Sequence, residues 1–304
     1  MKILICYFSG TGNTQKVAEK YAACLEEPGN NVQTISIDGL MGGKLLPQEF
    51  VEQLTDTDVL GIGYPVHAFN APEIVHKFVK RIPKSATTKP AFLFSTSGEP
   101  LKLNNASTVK LRHVLKRRHY DVTNEYHYCM PYNIMFRHSQ TMAYDMWTTA
   151  DKLIPLDAQE IASGTRHRLK RVFCGGLFSW LMRCEHWGGR LNGKQYKVND
   201  ACVQCGQCVK ICPTGNITVV DGKFKFGNKC LMCMRCAHLC PKNAIKIGWF
   251  NKWKVNGAYS FEQPETREQQ KYNRMLTKSY AKYFAESNER LAHLAGEASN
   301  TNNN

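Results

Sequence analysis

The sequence predicts an α/β fold, an open doubly wound parallel sheet of five strands, followed by a small cysteine-rich α+β domain. Three observations predict it. Apolar strand-like runs alternate with helical patterns through the first half of the 304 residues. A Gly/Thr-rich loop, "FSGTGNT" (residues 8–14), joins the first run to the first helical pattern. Eight of the 13 cysteines fall in two copies of one spacing, "CVQCGQCVKICP" and "CLMCMRCAHLCP".

The elements follow in order. "KILICYF" is continuously apolar, which suits a strand buried on both faces of a parallel sheet. "NTQKVAEKYAACLEE" sets Val17, Ala18, Tyr21, Ala22 and Leu25 at helical spacing. "NVQTISI" is the second strand; "DVLGIGYP" and "PAFLFSTSG" are the third and fourth, each ending in small or polar residues. "ASTVKLRHVLKRR" reads as helix, "VTNEYHYCM" as the fifth strand, and residues 142–162 as helix, closing a first domain over 1–163. Such a sheet binds ligands at the carboxyl ends of its strands.

A basic linker with an apolar centre covers 164–195. Residues 172–182 carry two readings. One is a linker helix docking one domain on the other. The other is a weak in-plane membrane-surface contact, with Phe173, Leu177, Trp180 and Leu181 in the lipid and Arg/Lys outward. The cysteine-rich domain, 196–250, is an internal repeat of about 28 residues, and "ITVVDGKFKF" within it reads as a hairpin on an Asp-Gly turn. In the C-terminal part, 251–304, "ETREQQKYNRMLTKSYAKYFAESNERL" reads as a helix with Tyr272, Leu276 and Tyr280 on one face. The tail "ASNTNNN" has nothing to bury and is expected to be disordered.

No apolar run reaches the roughly 18 residues of a transmembrane segment. The opening "MKILICYF" is too short for a signal-peptide core, so a cytoplasmic location is expected. Disulfides are rare in that compartment, and clustered thiols there point to metal. The five scattered cysteines, Cys6, Cys24, Cys129, Cys174 and Cys184, are expected to pack as small buried hydrophobes. Charge is uneven: residues 1–160 hold 17 basic and 16 acidic side chains, residues 161–304 hold 23 and 9. A basic half invites nucleic acid, but anionic clusters would offset part of the excess, and no nucleic-acid partner is expected.

Each cysteine run is C-x2-C-x2-C-x3-C-P. Three thiolates in one short loop can take three corners of a four-iron cubane, while a structural zinc site pairs two separate C-x2-C knuckles. Residues 197–247 thereby resemble the bacterial two-cluster ferredoxins. The resemblance implies two [4Fe-4S] clusters, one on Cys202, Cys205, Cys208 and Cys240, the other on Cys230, Cys233, Cys236 and Cys212. Pro213 and Pro241 are expected to open helices after the fourth cysteine of each run. His238, inside the second run, is expected to be a structural donor rather than a ligand.

"SGTGNT" follows a strand and opens a helix, so its N–H groups, the Ser9, Thr11 and Thr14 hydroxyls and the Asn13 amide suit a phosphate. Lacking the Lys of a triphosphate loop, it resembles the FMN-phosphate loop of flavodoxins, a likeness extending over about 1–162. The resemblance implies FMN on Ser9, Gly10, Thr11, Gly12, Asn13 and Thr14. Flanking loops would add Pro65, Val66, His67, Ala68 and Phe69 after the third strand and Thr96, Ser97 and Gly98 after the fourth. Tyr64, His67 and Phe69 are candidates to stack on the ring, and Tyr132 or Asn133 to join the same edge. His67 reads as a surface-loop histidine more readily than as a proton donor.

The whole arrangement resembles the fused flavodoxin–ferredoxin proteins of anaerobes. It implies an electron-transfer flavo-iron–sulfur protein that joins two-electron to one-electron chemistry and meets acidic redox partner proteins on its basic face. The alternative is a flavin-dependent oxidoreductase that reduces a quinone or disulfide with electrons fed through the clusters. A redox or iron sensor touching nucleic acid through the basic linker is the third class.

Overall fold

The structure, a computed structural model, describes residues 1–27 and 29–301, with side chains of the last helix described to residue 293. The first half runs β1 (Lys2–Tyr7), α1 (Asn13–Glu26), β2 (Asn31–Ser36), α2 (Ile37–Leu40), α3 (Gln48–Asp56), β3 (Val59–Pro65), α4 (Glu73–Arg81), β4 (Lys89–Ser97), α5 (Thr108–Lys116), β5 (Tyr120–Cys129) and α6 (Gln140–Ser163). The five strands pair in parallel in the order β2-β1-β3-β4-β5. That order is flavodoxin-like.

The two-residue period of a strand sends alternate side chains to opposite faces. Leu4 and Cys6 of β1, with Leu60, Ile62 and Tyr64 of β3, meet Phe50 of α3, Val75 and Phe78 of α4 and Leu111 of α5. Ile3 and Ile5, with Phe92 and Phe94 of β4, meet Val17 and Tyr21 of α1 and Ile154 of α6. Gly61 and Gly63 make this second layer possible: a Cβ at either would stand 2.4 or 2.2 Å from the Phe92 or Phe94 ring. Tyr64, a sequence candidate for the cofactor ring, belongs to the first layer, fully buried with its hydroxyl 3.1 Å from Ser107 Oγ.

Two short helices, α7 (Gly175–Leu181) and α8 (Cys184–Gly193), form the linker. The cysteine-rich domain follows: β6 (Tyr196–Val198), α9 (Gln207–Lys210), β7 (Ile217–Val220), β8 (Lys223–Phe226), α10 (Arg235–His238) and β9 (Ile245–Ile247). β7 and β8 form the expected hairpin, with Asp221 and Gly222 both at positive φ. β6 pairs antiparallel with β9. The Cys-Pro steps do not open helices as expected. Pro213 and Pro241 sit in turns, and the four-residue helices precede them. Gly215 and Asn243, left-handed at φ 58° and 48°, stop any helix from propagating there.

The last helix, α11 (Arg274–Thr301), returns to the sheet domain. Tyr280, Leu276, Tyr283 and Phe284 pack against Cys129 and Met146, and Arg290 pairs with Asp157 and Glu160. It starts later than the sequence suggests. Residues 265–273 instead run along the start of α6, where Gln270 accepts from Ser139 N and Glu268 N donates to Thr141 Oγ1. Of the tail, 298–301 continue the helix, and 302–304 lie outside the described residues.

Candidate functional site

The loops at the carboxyl ends of β1, β3 and β4 converge on one cavity of about 500 Å³, within the usual range of a cofactor site. Ser9, Gly10, Thr11, Asn13 and Thr14 line it from the first loop, Pro65, Val66, His67, Ala68 and Phe69 from the second, and Thr96, Ser97 and Gly98 from the third. Gly12 does not line it. Its left-handed φ of 105° turns the chain into α1, whose start no side chain caps. The loop braces itself: Gly12 N donates to Ser9 Oγ at 3.1 Å, Thr14 Oγ1 meets Thr96 Oγ1 at 2.8 Å, and Asn13 donates to Pro131 O at 2.7 Å. Each hydroxyl keeps capacity for a further hydrogen bond.

Among the described residues, no Lys or Arg lines the cavity. The Ser9–Thr14 loop therefore offers hydroxyls, amides and a helix start, a donor set that fits a phosphate monoester; the Glu99 and Glu185 carboxyls also line the cavity. Tyr132 and Asn133 line it too, and the Tyr132 ring occupies the space a Cβ on Gly98 would take. Several main-chain groups on the flanking loops are already engaged. Val66 N donates to Thr96 O, and Tyr280 Oη donates to Gly98 O at 2.6 Å. His67 is half-buried rather than on the surface. Burial, and then His186, push its imidazole down to about 4, so it is neutral at pH 7. Ala68 and Phe69, both at positive φ, form a tight turn closed by two hydrogen bonds between His67 and Asn70. The Phe69 ring packs on Phe178 of α7 at 5.2 Å.

Four further parts of the cavity wall come from segments that sequence spacing does not connect to it: Met135, Glu185 of α8, Met232 of the second cysteine run, and Asn273, Met275 and Leu276 around the start of α11. Burial pushes the Glu185 carboxyl up to about 8.

The eight cysteines separate into two small cavities. Cys202, Cys205, Cys208 and Cys240 border one, which Cys236 also touches; Cys212, Cys230, Cys233 and Cys236 border the other. The two loops are built alike. Gln204 and Met232, Gly206 and Met234, and Gly215 and Asn243 are pairs in equivalent positions of the two copies, all left-handed. Main-chain N–H groups donate to sulfur in matching places too: Gln204 N to Cys202 and Met232 N to Cys230 at 3.4 Å, Asn216 N to Cys212 at 3.2 Å and Ala244 N to Cys240 at 3.3 Å. Such bonds tune iron–sulfur potentials. Among the described residues, no three His, Cys, Asp or Glu side chains gather closely enough to hold a single metal ion. Burial pushes the Cys233 thiol up to about 12, so loading metal there must displace a proton. His238 is buried, its Nδ1 3.4 Å from Val255 O.

The second cysteine loop touches the phosphate-type loop directly. Arg235 donates to Ser9 O at 2.6 Å, Gly10 O at 3.2 Å and Ile211 O at 3.1 Å, and pairs with Asp38 at 2.6 Å. A Cβ on Gly10 would stand 2.4 Å from the Cys233 carbonyl oxygen. Nothing in the local spacing marks Arg235, because its partners at Ser9 and Gly10 lie more than 220 residues away.

Residues 201–245 match the 4Fe-4S dicluster domain family. No curated protein matches the chain. Among solved structures, it is similar to the rubredoxin oxygen:oxidoreductase of the anaerobe Desulfovibrio gigas, at 18% identity and a TM-score of 0.40, over 54% of this chain and 36% of that one. It thus spans little more than a third of that relative. A flavodoxin from the domain Archaea gives 16% identity and 0.37 over 54% of this chain and 99% of its own. Two-electron reduced Megasphaera elsdenii flavodoxin gives 18% and 0.37 over 52% and 98%. The chain joins a flavodoxin-like sheet domain to a 4Fe-4S domain, the composition of an electron-transfer redox protein. Among the described residues no helix is long and apolar enough to cross a membrane.

Proposed function

We propose that this protein relays electrons between FMN in the large cavity and two [4Fe-4S] clusters in the two cysteine cavities. The observation that carries the reading is the seam between the loops: Arg235, between two cysteines of the second run, grips the Ser9 and Gly10 carbonyls. Met232, from the same loop, lines the large cavity itself. The second cluster and the flavin are then neighbours, with the first cluster beyond. When bound, FMN supplies the exchange between paired and single electrons. The chain's residues do the rest. The uncapped start of α1 and the hydroxyls of Ser9, Thr11 and Thr14 hold the phosphate. Val66–Phe69 and Thr96–Gly98 flank the ring, and Met232, Met275 and Leu276 limit water at the cavity wall. Cys202, Cys205, Cys208 and Cys240 hold one cluster, and Cys212, Cys230, Cys233 and Cys236 the other. Redox partners are acidic proteins drawn to the basic second half, in the cytoplasm.

Glu185 favours a second reading, in which the flavin reduces a small acceptor. A carboxyl still protonated at pH 7 at the cavity wall is a ready proton source.

Anaerobic reconstitution with iron, sulfide and FMN tests the proposal. Eight iron atoms and one tightly held FMN per chain are expected; a protein that takes up iron and sulfide but retains no flavin refutes it. Steady turnover of a quinone or disulfide would favour the second reading.

A further inference from the structure

The linker helices are amphipathic the wrong way round for a soluble protein. α7 and α8 are joined through Met182 and Arg183, both with right-handed helical backbone, into almost one helix. The residues buried against the body are small or polar, Gly175, Ser179, Gly189, Asn192 and Gly193, with Phe178 packed on Phe69 beside them. The glycines let the helices lie flush, since a Cβ on Gly193 would stand 2.2 Å from Cys230 Cβ. The face turned to solvent is apolar. Phe173 is 95% exposed, Trp187 72%, and Leu177, Trp180, Leu181 and Leu191 are each at least half exposed. A surface helix ordinarily does the reverse. Cys174 and Cys184 are exposed with it, against the expectation that they pack inside.

Two further tryptophans stand beside this stripe. The 3₁₀ turn Gly248–Trp253 packs on α8, with Trp249 N donating to Asn192 Oδ1 at 2.8 Å, and leaves Trp249 and Trp253 exposed. Four of the five tryptophans in the chain are thus on the surface of one region. The helices and the segments that flank them also carry cations. Lys170, Arg171, Lys194, Lys197 and Lys252 are exposed and form no ion pair among the described residues. Residues 164–197 hold eight Lys or Arg and one acidic residue.

We propose that this face docks flat on an anionic phospholipid bilayer. Tryptophan rings favour the lipid–water boundary. An apolar stripe with a basic rim is the pattern of an in-plane helix, each cation near an anionic surface adding to the attraction. A second copy of the chain fits less well, because a two-fold contact would oppose the same cations to each other. Glu185, on the inward side of α8, lines the large cavity, so docking brings that cavity to within about one helix diameter, roughly 10 Å, of the lipid.

The test uses the full chain, purified anaerobically with its iron, and vesicles of phosphatidylcholine alone or mixed equally with phosphatidylglycerol. Sedimentation with the mixed vesicles only is expected, with tryptophan emission quenched by brominated lipid. Leu177→Glu/Trp180→Glu alters two side chains that are already exposed. It should retain iron and lose vesicle affinity at least about tenfold. Lys170→Glu/Arg171→Glu should weaken binding and reduce its salt dependence. Failure to sediment with either vesicle overturns the proposal, as does adsorption that brominated lipid does not quench. It is equally overturned if the face is covered by a second copy or an acidic protein, shown by a dimer or complex that Leu177→Glu/Trp180→Glu dissolves while vesicles stay unbound.

Discussion

Replacing Arg235 tests whether the two cofactor regions are mechanically one. Arg235 and Asp38 have side chains only 16% exposed, and the guanidinium serves three carbonyls besides the carboxylate. Arg235→Gln removes the charge and leaves one amide to cover four acceptors. Hydrogen bonds to charged groups are worth about 1.5–3 kcal/mol each, and breaking a fully buried ion pair costs about 3–5 kcal/mol. These do not add, and some water reaches the pair, so a loss of about 2–4 kcal/mol is expected. If a third to a half of that falls on the Ser9–Gly10 loop, FMN affinity drops about tenfold, since 1.4 kcal/mol is one decade. Arg235→Lys keeps the charge but not the fork, and should fall between. The assay is flavin fluorescence titration of apoprotein with intact clusters. Asp38→Asn and the double variant complete a cycle that isolates the pair. Burial works against the Asp38 carboxylate, but hydrogen bonds from Arg235 and Ser36 outweigh it and hold its pKa below the ordinary 3.8. The pair's contribution is therefore complete above that ordinary value and fades as pH falls through the lower folded one. An Arg235→Gln protein that binds FMN within about twofold of the parent, at less than roughly 0.5 kcal/mol, would refute the coupling.

Other outcomes follow from the same geometry. Gly10→Ala sets a methyl against the Cys233 carbonyl and should cost about 1–3 kcal/mol; it should reduce flavin retention while leaving eight iron atoms bound. Thr14→Val removes the buried partner of Thr96 Oγ1 and should lower FMN affinity by about 1–3 kcal/mol, read by the same titration. Cys240→Ser should spoil the cluster of Cys202, Cys205 and Cys208 rather than that of its own run, and Cys212→Ser the converse; low-temperature EPR of the reduced variants distinguishes the two signals. Glu185 has its folded pKa raised to about 8 from 4.5. The stability this gives is complete below 4.5 and declines until pH passes 8, so Glu185→Gln should flatten the unfolding midpoint over that interval. An unchanged slope would remove Glu185 from the buried groups.

The sheet was legible because strands buried on both faces leave continuous apolar runs, as in "KILICYF". The helices α3 and α4 are not in that reading, though Ile74, Val75, Phe78 and Val79 of α4 carry the period in only nine residues. Strand parity would have corrected Tyr64: it shares a face with Leu60 and Ile62, so it points into the core and not over the strand end. The cysteine sets could be read because their ligand atoms are local, repeated and chemically unambiguous. The outer wall of the cavity could not. Met232, Glu185 and Leu276 reach it from three distant segments, and nothing in their neighbourhoods distinguishes them from other surface or packing residues. Arg235 is hidden for the same reason, a tie between residues brought together only by the final docking of two domains.

The twin cysteine loops share a backbone but not a setting. Cys205 is exposed, whereas its counterpart Cys233 belongs to the hydrophobic core of the sheet domain. If clusters occupy both loops as proposed, a redox partner docking at the surface would meet the outer one first.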